Sequence, residues 1–275
     1  MKGLVSRIIP FSCVDGPGNR FVIFLQGCNF DCKNCHNPQT IGRCDACGDC
    51  VPDCPSGALT LSATSNTILW DESVCQSCDR CIDHCPSSAS PMAQDMSIDD
   101  LLQQMTTAAP FLTGVTVSGG ESTMQLKFVR QLFAAIKAHP QLSHLTCLID
   151  SNGYLSTNSW RAMLDEFDGA MIDLKAMNNE LHQWLTGKGN QRVLDTIRFL
   201  DQHNKLTELR FLAIPEITDT PEELSAIQSF IKELRSDFTL KVNAFSNKAV
   251  KGEARQWSNL PTERAQDIKE LLISS

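Results

Sequence analysis

The sequence has no run of basic residues. Its 24 lysines and arginines stand against 32 aspartates and glutamates, giving a formal net charge of -8 and a pI near 5.2. A balance of that sign excludes broad electrostatic affinity for nucleic acid or for an anionic membrane surface. Nowhere do about 18 uncharged apolar residues run together, the length a membrane-spanning helix needs. Residues 1–20 carry no apolar stretch of the kind that begins a secretory signal. The expectation is a cytoplasmic protein. At 275 residues and 42% hydrophobic content, the chain can bury the core of one large α/β domain or two smaller ones.

Cysteine, by contrast, is abundant. There are 13, an odd number without an export signal, and eleven of them fall in three clusters that contain C-x2-C. That usage argues against a disulfide framework and for metal ligation. Of the other two, Cys147 lies in the apolar run Leu145-Thr-Cys-Leu-Ile149 and reads as a small core residue. Cys13 precedes a turn and reads as a loop residue, a reactive thiol being the alternative.

The first cluster is Cys28-Asn-Phe-Asp-Cys32-Lys-Asn-Cys35, directly after the apolar strand expected at 21–27. A four-iron cube takes one thiolate per iron, so three cysteines in a tight loop leave one iron for a ligand that is not protein. A zinc site completed by His36 is the alternative. From Ile41 to about Asp95 the composition shifts to eight cysteines among glycine, proline, serine and aspartate, with no helical period, which marks an inserted module. Within it, Cys44-x2-Cys47-x2-Cys50-x3-Cys54-Pro and Cys75-x2-Cys78-x2-Cys81-x3-Cys85-Pro repeat the bacterial ferredoxin run for two 4Fe-4S clusters. Because the fourth cysteine crosses over in such runs, one cluster is expected on Cys44, Cys47, Cys50 and Cys85 and the other on Cys75, Cys78, Cys81 and Cys54. The clusters either relay electrons or hold a coreless insert together.

Beyond the insert, Ser97 opens a helix with an acidic first turn. Strands are expected at 114–117, 145–149, 169–172, 207–214 and 239–245. They alternate with helices at 125–138, 157–166, 178–185, 190–203 and 221–235, and a last helix begins at Pro261. With the strand at 21–27 that makes six units, two short of a closed barrel, so the expected fold is α/β, a partial (β/α)6 barrel over 1–40 and 96–275 carrying the insert at 41–95. In such folds chemistry gathers at the C-terminal strand ends. The cysteine loop, Ser118-Gly-Gly-Glu121, Asp150-Ser-Asn-Gly153 and Asp173-Leu-Lys175 all fall there, and they are expected to line one pocket. His84, His139, His144, His182 and His203 read as surface residues.

Taken in order, Asp15-Gly-Pro-Gly-Asn-Arg20, Gln26-Gly-Cys28 through Cys35-His-Asn-Pro38, Ser118-Gly-Gly-Glu121, Asp150-Ser-Asn-Gly153, Met171-Ile-Asp-Leu-Lys175 and Arg210 with the Pro215 to Asp219 stretch resemble a family. It is the radical S-adenosylmethionine (SAM) enzymes, and within them the activating enzymes of glycyl-radical enzymes, such as the pyruvate formate-lyase activator. The ferredoxin-like insert occurs in a subset of these. The resemblance implies that Cys28, Cys32 and Cys35 carry a catalytic 4Fe-4S cluster whose open iron binds SAM, and that the SAM is cleaved reductively to a 5'-deoxyadenosyl radical. That radical takes a hydrogen from a glycine of a partner protein. Gly119, Gly120 and Glu121 are implied to face the amino group of SAM, and Asn34, Cys35 and His36 its adenine. Asp150, Ser151, Met171 and Asp173 are placed beside its carboxylate with a monovalent cation, Asn152 is implied among the cofactor contacts, and Lys175 pairs with that carboxylate. Asp15 and Arg20 are implied to hold the partner's loop, and a flavodoxin or ferredoxin to supply the electron; a monomer is expected. Many members carry a histidine after the sixth strand where this chain has Val242-Asn-Ala-Phe245-Ser-Asn, so Phe245 or Asn243 is the candidate replacement. A radical SAM enzyme for a small molecule is the alternative, set back by the lack of an extra C-terminal substrate domain. An iron-sulfur electron carrier is the other, and it would need none of the pocket motifs.

Overall fold

A computed structural model describes residues 1–274. The chain opens with β1 (Lys2–Ser12) and β2 (Arg20–Leu25). The insert then contributes β3 (Leu59–Ser62), β4 (Thr67–Trp70) and a single turn, α1 (Arg80–Asp83), before β5 (Gln94–Ser97) returns to the main body. From there helices and strands alternate: α2 (Ile98–Ala108), β6 (Gly114–Gly119), α3 (Leu126–Ala138), β7 (Thr146–Ser151), α4 (Thr157–Arg161), β8 (Gly169–Leu174), α5 (Asn179–Thr186), α6 (Gln191–Gln202), β9 (Leu206–Ala213), α7 (Pro221–Glu233), β10 (Thr239–Ala244) and α8 (Thr262–Ile273).

One eight-stranded sheet has the order β10-β9-β8-β7-β6-β2-β1-β5, and its six strands from β2 to β10 run parallel. These are the six strands expected from the sequence. Two strands are additional: β1 pairs antiparallel with both β2 and β5 and ends the parallel run. Pro10 and register shifts between Val5 and Arg7 and between Ile9 and Ser12 break the alternation that would have marked β1 as a strand. The helix expected at 157–166 stops after Arg161; beyond it Met163 N bonds to Trp160 O and Glu166 N to Met163 O, three-residue turns rather than helix.

Side chains alternate across each parallel strand. Phe21, Ile23 and Leu25 of β2, Val115 and Val117 of β6, and Leu209 and Phe211 of β9 pack into the core shared with α2, α3 and α6. The other face carries buried Val22, Leu148 and Met171 and turns polar towards the C-terminal strand ends. Ser118, Asp150, Asp173 and Arg210 come from four successive strands and line one concavity. Helix starts are capped as the sequence requires: Ser97 and Asp100 form a capping box on α2, and Thr220 accepts from Glu223 N at the start of α7, where Pro221 occupies the first helical position.

Arg20, which the resemblance assigns to the partner's loop, sits at the other end of the barrel. It is 1% exposed, and it donates to Thr116 Oγ1 (2.6 Å), Val115 O (2.6 Å), Thr146 Oγ1 (3.0 Å) and Thr146 O (3.0 Å), at the N-terminal ends of β6 and β7. Burial draws its pKa down to about 10, which leaves the guanidinium charged at neutral pH. Spent on the strand starts, it has no donor to offer a protein on the opposite face. Asp15 accepts from Ser12 Oγ and faces the lateral opening beside β1.

Candidate active site

The cysteine loop is held by bonds to distant backbone. Gln26 is fully buried and its Nε2 donates to Gln39 O (2.8 Å) and Gly42 O (2.7 Å), while Gly27 N and Cys28 N donate to Thr40 O and Ile41 O. Asp31 N and Lys33 N donate to Thr186 O and Leu185 O, carbonyls at the C-terminus of α5 that the helix itself leaves free. Phe30 pins the centre, buried edge-on against Tyr154 (5.3 Å) and His182 (5.7 Å). His182 is therefore not a surface residue: it is fully buried under the loop, and burial lowers its pKa.

Cys28, Cys32 and Cys35 line one cavity of about 400 Å3 at the C-terminal ends of the parallel strands, together with the residues of the three polar motifs. Burial pushes the Cys28 thiol up to about 11 and Cys32 to about 12, and raises Cys35 as well. Metal binding must therefore displace protons from buried thiols. Asn152 Nδ2 lies 3.9 Å from Cys28 Sγ and donates to Asn29 Oδ1 (2.8 Å), which ties the Asp150-Ser-Asn-Gly153 motif to the cysteine loop. Asn34 is 4% exposed, lines the same cavity, and its Oδ1 has no hydrogen-bond partner. A buried acceptor left open beside three thiols fits a bound cofactor that brings its own donors.

Charges in the cavity are arranged in pairs. Lys175 Nζ lies 2.7 Å from Asp173 Oδ2; burial pulls the lysine down, but Asp173 and the Cys32 thiolate outweigh it and the net shift is upward. Asp173 is opposed by burial too, yet Lys175 and Arg210 hold it below the ordinary carboxylate range. Arg210 bridges Asp150 (3.1 Å) and Glu208 (2.8 Å) and reaches Met171 Sδ (3.0 Å). Asp150 also accepts from Ser118 Oγ (2.8 Å), and burial raises its pKa despite Arg210. Each carboxylate implied for the monovalent cation thus faces a cation of the chain. Among the described residues no three His, Cys, Asp or Glu side chains close round one point as a single ion requires.

Two readings from the sequence change in detail. Glu121 is buried and accepts from Thr123 N, Thr123 Oγ1, Ser151 Oγ and Asn152 N; burial raises its pKa against those bonds. It works as the clamp that joins the ends of β6 and β7. Gly119 and Gly120 are needed by the chain itself, since a Cβ would meet Leu25 backbone at 2.2 Å or the Gly27 and Thr40 carbonyls at 2.5 Å. After the sixth strand, Asn243 lines the cavity, whereas Phe245, just beyond the end of β10, is buried against His36 (5.8 Å) and Trp257 (5.8 Å). His36 is held by a hydrogen bond to Ser246 O (2.9 Å). Ser118 lines the cavity with the rest of its motif, and Arg210, which the resemblance names without giving it a contact, lines it as well. The signal for Arg210 in the sequence is a charge within Leu209-Arg-Phe-Leu212, two residues after Glu208 on the same strand.

In the insert, Cys50 lies near enough to Cys44, Cys47 and Cys85 for their charges to act on its thiol, after burial the next causes of its raised pKa. Cys54, Cys75, Cys78 and Cys81 line a separate small cavity, with Trp70 beside them. Trp70 Nε1 is buried there without a partner. Both runs place left-handed residues at matching positions: Ala46, Gly48 and Gly57 in the first, Ser77, Asp79 and Ser88 in the second. Such turns point successive N–H groups into a concavity, the backbone shape of many Fe-S sites.

The chain matches the Radical SAM superfamily model over residues 22–226. It is 29% identical over 242 residues to the pyruvate formate-lyase 1-activating enzyme of Escherichia coli strain K12, covering 84% of this chain and 77% of that one. It is 30% identical over 253 residues to the isethionate sulfite-lyase activating enzyme of Desulfovibrio desulfuricans, covering 84% and 79%. A putative glycyl-radical enzyme activating enzyme of Haemophilus influenzae is 28% identical over 277 residues, covering 93% and 87%. In fold alone, the chain superposes with a TM-score of 0.56 on a radical SAM methyltransferase from Sphaerobacter thermophilus, at 12% identity over 92% of this chain and 63% of that one. The model match spans most of the sheet that carries the three-thiol cavity, and on that match the chain belongs to the radical SAM superfamily.

Proposed function

We propose that this protein activates a glycyl-radical enzyme, with Cys28, Cys32 and Cys35 as ligands of a 4Fe-4S cluster and SAM bound in the cavity beside them. When bound, the cluster and SAM supply a 5'-deoxyadenosyl radical able to take a hydrogen atom from a glycine. The chain's part is to bind, orient and exclude water. Lys175 is the point charge for a carboxylate, Asn34 the free acceptor for a donor of the cofactor, and Asn243 the polar group at the sixth strand. Glu121 and Asn152 hold the strand ends at fixed spacing, and His36 is set by Ser246 O for the adenine side. Glycine suits as the target because no side chain blocks approach and the backbone tolerates strained loop geometry.

The insert over 41–95 is a ferredoxin-like module with two further 4Fe-4S clusters, one on Cys44, Cys47, Cys50 and Cys85, the other on Cys54, Cys75, Cys78 and Cys81. A flavodoxin or ferredoxin supplies the electron, and the chain works as a monomer. A monovalent cation at Asp150 and Asp173 must share these carboxylates with Arg210 and Lys175, and a potassium dependence of SAM turnover reads it.

The observation that carries this reading is three buried thiols of one loop sharing a cavity with the Asp173–Lys175 pair and an unpartnered Asn34 Oδ1. The test is anaerobic reconstitution to about twelve irons per chain, reduction with SAM, and chromatography for 5'-deoxyadenosine. Electron paramagnetic resonance then follows with purified glycyl-radical enzymes encoded in the same genome. A glycyl doublet is the expected result. No 5'-deoxyadenosine overturns the enzyme reading; 5'-deoxyadenosine without a doublet from any partner moves the substrate to a small molecule.

A further inference from the structure

A second chamber of about 530 Å3 adjoins the SAM cavity, and His36, Asn37 and Thr40 line both. One wall is the inner edge of the barrel, from Arg7 and Ile9 of β1 to Phe24 of β2, and the opposite wall is the insert, through Asp79, Ile82 and Asp83. The insert is tied to the barrel there: Lys251 Nζ donates to Ile82 O (3.2 Å) and Arg255 pairs with Asp83 (3.8 Å). The chamber lies in the size range of cavities that enclose a small ligand, far too small for a folded domain and right for a short loop.

Two charges on facing walls have no partner. Among the described residues, the exposed Arg7 and Asp79 side chains take part in no hydrogen bond or ion pair; both line the chamber, and Asp79 also borders the small cavity of the second cysteine run. Asp79 is also held at φ 58, the position that Gly48 fills in the first cysteine run. Aspartate tolerates that turn as glycine does, and unlike Gly48 it brings a charge to the chamber wall.

We infer that the insert is the specificity wall of the partner's binding groove: the glycine-bearing loop of the partner threads between β1 and the insert, a basic residue on it facing Asp79 and an acidic one facing Arg7. This rests on the glycyl-radical reading above and adds to it a role for the insert that needs no electron transfer. Opposed charges on two walls fix both the register and the direction of a bound loop, which places one chosen residue at the mouth of the SAM cavity.

The experiment uses the full reconstituted chain and the glycyl-radical enzyme that gives a doublet with it. Asp79→Asn keeps a residue that tolerates the left-handed turn, and Arg7→Gln lies on the barrel, outside the insert. Each is expected to raise the KM for the partner about three- to tenfold with kcat nearly unchanged, and the effect to shrink as salt rises. Charge reversal on the partner loop is expected to restore binding to Arg7→Glu. A KM within twofold of wild type for both variants overturns the inference. Should Asp79→Asn lose iron, Arg7→Gln decides alone. If the wild-type chain gives no doublet with any partner, the proposed function falls and this inference with it; if it does and the variants match it, only the groove assignment falls.

Discussion

The cysteine loop of the barrel and the cysteine runs of the insert use the same residue to opposite structural ends. Cys28, Cys32 and Cys35 are set by a frame of protein contacts: Phe30 is wedged between two rings, two amides hang on the end of α5, and Gln26 ties the loop to the chain that follows. In the insert, Cys44, Cys47 and Cys78 are exposed, and the buried apolar residues are few, Ala58, Leu59 and Ala89 besides Cys50. Its turns sit in left-handed conformations at non-glycine residues, which persist only where something over-determines them. The barrel positions its ligands, whereas the insert is positioned by whatever its ligands hold.

The largest effect that separates the two regions is on chemistry. Cys32→Ala is expected to abolish the conversion of SAM to 5'-deoxyadenosine, since under the proposed function it removes a ligand of the cluster beside SAM; Cys78→Ala should leave measurable turnover. Equal loss, read by chromatography under one reductant, would make the insert clusters obligatory and erase the distinction. The next effect is on folding. An iron chelator under reducing conditions should open the insert first, with protease cuts between 41 and 95, while the barrel keeps its helical circular dichroism and a cooperative melt. A single transition covering both regions would show that the barrel also depends on metal.

Within the barrel, the bottom is the reverse of the mouth. Arg20→Ala removes four donors from Val115, Thr116 and Thr146 and leaves buried acceptors unpaired, a loss of about 2–4 kcal/mol. Chemical denaturation reads that cost, and the KM for the partner protein should not move. A partner-specific KM defect in Arg20→Ala would return that residue to the interface.

The parallel strands and the cavity were legible because each signal was local: apolar runs of strand length, each followed by a polar motif. The doubled cysteine run was legible for a similar reason, a repeat with fixed spacing. What escaped the sequence depends on partners far apart in the chain. Glu121 looked free until Ser151 and Asn152, on the next strand, were seen to fill it, and Arg20 looked like a loop residue until the start of β7 closed over it. His182 has no periodic mark of burial in its short helix; it is buried because Phe30, more than 150 residues earlier, rests on it. β1 was hidden by its own bulges.

The smallest effect tests whether the barrel's frame is ordinary side-chain chemistry. Asp201, at the end of α6, accepts from Arg235 N (2.9 Å), Ser236 N (2.7 Å) and Ser236 Oγ (2.7 Å), which caps the chain as it leaves α7. Burial works against the charge, but those donors win and hold its carboxyl below the ordinary aspartate value. A carboxyl whose folded pKa is depressed binds fewer protons in the native than in the unfolded chain. Its contribution is therefore complete above the unfolded value of about 3.9 and is lost as pH falls through the folded one. Asp201→Asn should cost about 1 kcal/mol near neutral pH, allowing for screening at this partly open corner. The gap between variant and wild type should narrow below about pH 4. A gap that stays constant down to pH 3 would mean the amide is lost to packing rather than to charge, and the corner would then owe its shape to the apolar core alone.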